Sequence, residues 1–384
     1  ATVEYTWFIS DDNRDFFPYP LVTSASFVIQ SEHFRHYLAV NIKGIGDYEG
    51  LLKWGTERIG LNSQPVNPPI TEIPIASVED LLAIQSTTSH TFASGTNQEV
   101  TTSGGPSKNY YLITDVAFTN LIENPTEGAI INTTFRGVFD GRGFEISNVN
   151  ISSTATYLGL FSAADNATFK NITLSAFNIT GDSMIGGLVG SLGGTSILDN
   201  IIVTRSSFYA SGNVNISMLG GIIGVVEESS DLTFTQVFNY ATLTGQKAGM
   251  GGLIGYIDIG STVRLEATFN HGRVIAQGDS VGGLVGANNG SLFITQSMNY
   301  GEINGINEVG GFIGTNEETV TINNSINYGK IISSEDEVGG FIGDNRDTLT
   351  ITQSKNYGDV FGVGEIGGFV GDSSETTILD SINF

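Results

Sequence analysis

The chain has 384 residues, 40% of them apolar, with 50 glycines and no cysteine, and its 40 acidic against 16 basic side chains leave a net charge of −24. An acidic field of this size repels nucleic acid and anionic membranes, and the missing cysteines exclude disulfides, thiolate nucleophiles and cysteine-bearing metal sites. No apolar run approaches the ~18 residues that a bilayer span needs, so no membrane span is expected.

Residues 1–64 differ from the rest of the chain and read as a small β-rich domain or attachment region. Val3, Tyr5, Trp7 and Ile9 alternate with Thr2, Glu4, Thr6 and Phe8, which is a strand pattern and a candidate assembly strand. Phe34, His36, Leu38, Val40 and Ile42 give a second strand, and residues 21–30 a third. Pro65, Pro68, Pro69 and Pro74 mark 65–75 as a linker. Ser77, with Asp80 three residues on and then Leu81, Leu82 and Ile84, predicts a short helix near 77–85. At the start of a solenoid such a helix covers the open end of the first coil. Residues 97–109 are polar and read as a surface loop.

From Tyr110 onward the text is strand after strand, and over 181–384 it repeats. Gly-Gly followed by two apolar residues and a further Gly has Gly187, Gly221, Gly252, Gly283, Gly311, Gly340 and Gly368 as its second glycine, in steps of 34, 31, 31, 28, 29 and 28 residues. In phase with it runs a second mark, at Asn239, Asn270, Asn299, Asn327, Asn356 and Asn383. Each is followed by a ring: Tyr240, His271, Tyr300, Tyr328, Tyr357 and Phe384. Seven residues before the asparagine stand Leu232, Val263, Leu292, Val320, Leu349 and Thr376, and five before it Phe234, Leu265, Ile294, Ile322, Ile351 and Ile378. A period of two inside a unit of about 30 residues means short strands and turns. Stacked units of this kind bury their apolar faces only against one another. The expected fold is all-β: a parallel, right-handed β-solenoid over 76–384, with asparagines bonding up the stack and rings stacking beside them. The glycines serve turns or close backbone approach.

These residues resemble the GLUG-motif repeat proteins. The likeness rests on Val281-Gly282-Gly283-Leu284-Val285-Gly286 and its equivalents, and on Asn-Tyr-Gly at 299–301, 327–329 and 356–358. The lead-in adds Val78-Glu79-Asp80-Leu81-Leu82, the Phe-Asp-Gly turn at 139–141 and Ile146-Ser147-Asn148. The resemblance covers about 75 to 384. It implies a large secreted or surface-anchored protein, often adhesive, with some members beside protease domains.

Motifs with a chemical meaning each have a plainer reading. Gly362, Gly364 and Gly367 spell a dinucleotide fingerprint, but the repeat register explains them and no helix pattern comes after them, so no cofactor is expected. Gly278-Asp279-Ser280 is repeated as Gly181-Asp182-Ser183, a turn before a core strand, and His271 sits among stacked rings, so no catalytic triad is read. Asp11, Asn13 and Asp15 begin a calcium-loop spacing that Phe16 breaks. His33 and His36, three apart on a strand, face opposite ways and share no metal. Glu317-Glu318 and Glu335-Asp336-Glu337 read as solvated turns, although stacked coils ~4.8 Å apart can place carboxylates in pairs. Thr233/Thr235 and Thr350/Thr352 match Arg264/Glu266 and Phe293/Thr295 elsewhere, so no flat threonine array is kept. Asn132, Asn150, Asn166, Asn171, Asn178, Asn215, Asn289 and Asn323 lie in Asn-x-Ser/Thr strings; composition alone yields nearly as many, but the first five crowd into 47 residues and are candidate glycosylation sites.

No catalytic or metal-binding constellation emerges, and the sequence points to a non-enzymatic extracellular or cell-surface structural protein. The sequence stops at Asn383-Phe384 in mid-repeat, and an uncapped coil invites end-to-end association. The expectation is therefore self-association, head-to-tail into fibres with residues 3–9 supplying a strand, or continuation into a longer chain. The alternatives are an adhesin that binds glycan or a surface protein along the solenoid face, and a polysaccharide-active β-helix.

Overall fold

A computed structural model describes residues 72–119, 128–211, 217–246 and 249–384 with their side chains, and before them the backbone of four strands. The chain divides into two compact units, Ala1–Ile70 and Thr71–Phe384. In the first unit, β1 (Thr2–Ser10), β2 (Phe17–Pro18), β3 (Tyr37–Ile45) and β4 (Leu51–Gly55) form an antiparallel sheet in the order β2-β1-β3-β4. β1 is paired with β3 over its whole length, from Thr2↔Ile45 to Ser10↔Tyr37. On its other edge, among the described residues, β2 meets Phe8 and Ile9 alone. The strand expected over 21–30, the Asp11, Asn13 and Asp15 spacing, the histidines His33 and His36, and the prolines Pro65, Pro68 and Pro69 lie outside the described residues.

The second unit begins earlier than the proline pattern predicts. Residues 72–75, which the sequence pattern places at the end of a linker, are a strand, β5 (Glu72–Ile75), paired in parallel with Asn109–Leu112. Ile73 and Ile75 are buried, and Pro74 is tolerated because, among the described residues, β5 is paired on one side only and has no second ladder to donate to. Next comes α1 (Val78–Ala83), capped by Ser77, whose Oγ accepts from the Asp80 amide at 3.2 Å. Asp80 is itself buried, and its carboxylate accepts from the amides of Ala76 and Ala93 and bonds the His90 ring at 2.7 Å. Leu81 and Ile84 join Ile73 and Ile75 in the core. The stretch expected as a loop contains a strand, Val100–Ser103, hairpinned with Ser89–Phe92; its Val100, Thr101 and Thr102 are good strand formers that the neighbouring glycines obscure.

The rest is a β-solenoid. One sheet stacks eight strands from Asn150–Ser153 to Val360–Phe361, a second stacks eight from Tyr157–Leu158 to Ile366–Gly367, and a broad third sheet closes each coil. Every one of these pairings is parallel, and equivalent repeat residues align: Val281↔Val309↔Val338 on one wall, Leu292↔Val320↔Leu349 on another. Because side chains alternate faces along a strand, one aligned set points inward in every coil. Those inward sets form one continuous core running from Ile73 to Ile351. It is densely aromatic in the first coils, where Phe135, Phe161 and Phe169 lie 5.0–5.6 Å apart, and mostly aliphatic in the later ones, with Phe312 against Phe341 at 4.5 Å as an exception.

The glycine repeat has a steric cause. A Cβ on Gly283 would lie 2.0 Å from the Gly311 carbonyl oxygen of the next coil and 2.6 Å from the amide carbon of Asn299. Gly221, Gly252, Gly311 and Gly340 are in the same position against their own asparagines. The two sequence marks keep phase because they touch.

Candidate functional site

Inside the stack, the asparagines form a hydrogen-bonded column. Each Nδ2 donates to the Oδ1 of the next coil: Asn239 to Asn270, Asn270 to Asn299 and Asn299 to Asn327 at 2.9 Å, then Asn327 to Asn356 and Asn356 to Asn383 at 2.8 Å. Each also clamps its own corner. Asn299 accepts from the Gly301 amide at 3.2 Å and donates to the Gly301 carbonyl at 3.1 Å. Both donors and both acceptor directions of the amide are thereby used, which is what allows a polar side chain to sit at 0% exposure.

Two further ladders leave a fainter mark in the sequence. Asn288, Asn316 and Asn345 repeat the arrangement at another corner, at 2.8 and 2.7 Å. Ser297, Ser325, Ser354 and Ser381 each accept an amide from the coil before, at 3.1–3.2 Å. The signal for the serine column is present: a Ser or Thr stands two residues before the ladder asparagine from Thr268 onward.

Outside, the rings stack face to face. Tyr240–His271 and His271–Tyr300 centroids are 4.5 Å apart, Tyr300–Tyr328 5.0 Å, Tyr328–Tyr357 5.2 Å and Tyr357–Phe384 4.4 Å, all within 12° of parallel. The tyrosines are 41–45% exposed. Their faces are taken by one another, so solvent meets ring edges and hydroxyls, not an open aromatic platform. Burial between two rings pushes the His271 pKa down from its ordinary value.

The densest chemistry on the described surface is a track of carboxylates over the last coils. The residue before the aligned Val281, Val309, Val338 and Ile366 is Ser280, then Glu308, Glu337 and Glu365, and beside it the aligned column runs Thr315, Asp344, Asp372. Carboxylate oxygens of Glu308, Glu337 and Asp344 lie within 4.8 Å of one another, as do those of Glu337, Glu365 and Asp372. Arg346 is the cation among them, 2.7 Å from Glu308 and 2.5 Å from Asp344 and from Glu317. Ser280 and Thr315 donate to Glu308 at 2.5 and 2.6 Å. Burial, then the charges of Asp344 and Glu308, raise the Glu337 carboxyl above its usual range. Burial raises Asp344 too, outweighing the pull of Arg346. For Arg346, burial works against the charge, but the bond to Glu317 and the charges of Asp344 and Glu308 overcome it and raise its pKa. These carboxylates are the groups that could hold a cation, and Arg346 already bridges two of them, offsetting one of their charges. Of these, the sequence pattern assigns Glu337 to a solvated turn; the register that stacks Glu308 on Glu337 on Glu365 brings the carboxylates together.

The candidate glycosylation sites divide by burial. Asn171 is buried, donating to Asp140 and accepting from Asn200 at 3.1 and 3.0 Å. Asn132 accepts the Ala129 amide, and Asn289 and Asn323 are partly buried. Asn166 and Asn178 are exposed, and Asn178 stacks on Asn150 at 3.0 Å. Asn215 lies outside the described residues. Val3, Tyr5, Trp7 and Ile9 lie in β1, whose backbone pairs within its own sheet.

No family model matches the chain, so the resemblance to GLUG-motif proteins has no support from that comparison. No curated protein matches it either. The similar solved structures include two with a protease name. One is a Bacteroides ovatus protein provisionally named an immunoglobulin A1 protease: identity is 15%, coverage 79% of this chain and 84% of that one, and the TM-score 0.47. The other is named IgA1 protease: identity is 12%, coverage 95% of this chain but 28% of that one, and the TM-score 0.41. This chain thus spans little more than a quarter of the second protein's length. The expectation that the chain is not an enzyme does not stand beside these two structures, each of which carries a protease name.

Proposed function

We propose that the chain is an extracellular or cell-surface structural protein in which the solenoid serves as a stiff rod. The observation that carries this reading is the continuity of the axial bonding. From Asn239 to Asn383 every coil is tied to the next by backbone ladders and the asparagine column, joined from Thr268 onward by the serine column, and the continuous core inside runs as far as Ile351. Repeat stacks of this kind share load among neighbours and have no weak joint until the register breaks. The large net charge keeps the outer surface soluble and discourages indiscriminate association. Such a rod holds any module joined to it, adhesive or catalytic, clear of a surface. Head-to-tail joining of rods is part of the proposal: among the described residues β2 meets only two residues on one edge of β1, and strand addition there would extend the sheet.

Sugar binding on the tyrosine column is the weaker reading, since the ring faces that would receive a sugar are stacked on one another. Electron microscopy of the native material tests the proposal. Rods, single or joined end to end, are expected. Compact particles without an axial dimension matching the stacked coils would sink it.

A further inference from the structure

The surface around the aromatic column is ordered in a way that the fold does not require. Three outward columns run side by side across the Asn-ladder corner. One holds Phe238, Phe269, Met298, Ile326 and Lys355; the middle one is the ring stack; the third holds Arg273, Glu302, Lys330 and Asp359. The third column alternates in sign from coil to coil. Arg273 and Glu302 are in contact at 2.7 Å, and Lys330 lies 4.6 Å from the Phe361 ring.

We propose that this strip is a contact between two copies of the chain, laid side by side and antiparallel, with the two-fold axis between the coils of Tyr300 and Tyr328. An axis lying in the contact plane and perpendicular to the stack brings each column against its own reverse. The charge order Arg, Glu, Lys, Asp then reads Asp, Lys, Glu, Arg on the partner. Arg273 meets Asp359 and Glu302 meets Lys330, so all four charges find an opposite sign. In the first column Met298 meets Ile326, and Lys355 comes over Phe269, a cation against a ring. In the middle column Tyr300 meets Tyr328. No like charges oppose one another within these three columns. The parallel alternative, with the axis along the stack, pairs Lys355 with Asp359 and sets Arg273 over Phe269, but it leaves Glu302 against Met298 and Lys330 against Ile326, two charges on apolar groups where the antiparallel pair leaves none. Charge order therefore selects the antiparallel pair.

The strip is small. Six coils at ~4.8 Å and two residue pairs at ~6.8 Å make roughly 400 Å² per copy, about half of a standard interface. The contact is accordingly weak between free chains and becomes effective where rods are crowded, each adding to its neighbour's hold.

The test uses the full chain. Its lack of cysteine makes single-site trapping clean. Chains carrying Tyr300→Cys, mixed with chains carrying Tyr328→Cys, should form the mixed disulfide several-fold faster than either forms its own. Cross-linking at the rate of an outward control such as Thr233→Cys overturns the proposal. Glu302→Lys alone and Lys330→Glu alone should each slow trapping about tenfold, and the two together should restore it. Within one chain the double swap sets lysine beside Arg273 and glutamate beside Asp359 and leaves as many like-charge neighbours as either single variant, so restoration reports the contact with the partner. Failure to restore overturns the pairing while leaving the rod and its end-to-end joining, followed by microscopy, untouched.

Discussion

Replacing Asn299 by alanine tests whether the buried amide column holds the stack together. The side chain makes four hydrogen bonds at 0% exposure: from Asn270, from the Gly301 amide, to the Gly301 carbonyl and to Asn327. Alanine strands two donors, one on the Gly301 amide and one on Asn270, and removes a donor from two acceptors. A buried orphaned group costs about 1–3 kcal/mol. Two orphaned donors therefore cost about 2–6 kcal/mol, and the small cavity adds to that rather than offsetting it. Guanidinium unfolding followed by circular dichroism should show the loss as a lower midpoint, and hydrogen exchange should place the loosening at the coils around 299. Tyr300→Ala is the comparison. It removes a half-exposed ring from two stacked contacts worth ~0.5–1.5 kcal/mol each, so it should cost about 1–3 kcal/mol. Should Asn299→Ala cost less than Tyr300→Ala, the claim that internal amides and not external rings hold the register is refuted.

The remaining outcomes concern sterics, charge and modification. Gly283→Ala puts a methyl 2.0 Å from the Gly311 carbonyl oxygen and against Asn299, so it should cost more than ~3 kcal/mol, whereas Gly143→Ala, with nothing within 4 Å of its added carbon but φ at +80°, should cost about 1 kcal/mol; thermal melts of the two separate steric clash from backbone strain. Glu337 and Asp344 have carboxyl pKa values raised in the folded chain, so the folded state holds their protons longer than the unfolded one. Their contribution favours folding fully below the ordinary carboxylate range near pH 4 and is lost as pH rises through the raised values; a midpoint that fails to drop over that window contradicts the sign. Arg346→Gln should sharpen that fall, and the gap between variant and parent should close in acid. If the native protein carries N-linked sugar, peptide mapping should find it on Asn166 or Asn178 and not on Asn171, whose amide is locked to Asp140 and Asn200.

What the sequence reveals here is whatever repeats. Glycine pairs, asparagines and inward aliphatics recur at one spacing because each touches its own copy one coil away, and stacked coils are legible from that alone. The helix at 78–83 is legible from its cap. Other features depend on register rather than on spacing. Glu337 sits in an acidic turn when read along the chain; only when Val309 aligns with Val338 does Glu308 come to lie over it. β5 is hidden because Pro74 is a linker signal in sequence, whereas an edge strand tolerates it. The β1 edge lies beyond pattern reading altogether, since antiparallel pairing with residues 37–45 leaves no mark on the alternation of either strand.

The division between inner and outer columns explains how one repeat can vary so freely. Position for position, the inward residues scarcely change: Leu232, Val263, Leu292, Val320 and Leu349 are all aliphatic and buried. One step along the strand, the outward residues are Thr233, Arg264, Phe293, Thr321 and Thr350. A one-residue slip would send an arginine and a phenylalanine into the core together and carry every asparagine out of its corner. Register is therefore fixed from within, by all coils together, and the outer face is left free to carry charge. In the Thr233, Arg264, Phe293 column that freedom gives unordered variety. In the Arg273, Glu302, Lys330 and Asp359 column it gives strict alternation, and alternation is a pattern that reads as its own complement when reversed. Arg273 and Glu302 already pair within one chain at 2.7 Å, and the same alternation lets the whole column pair with its own reverse on a second copy.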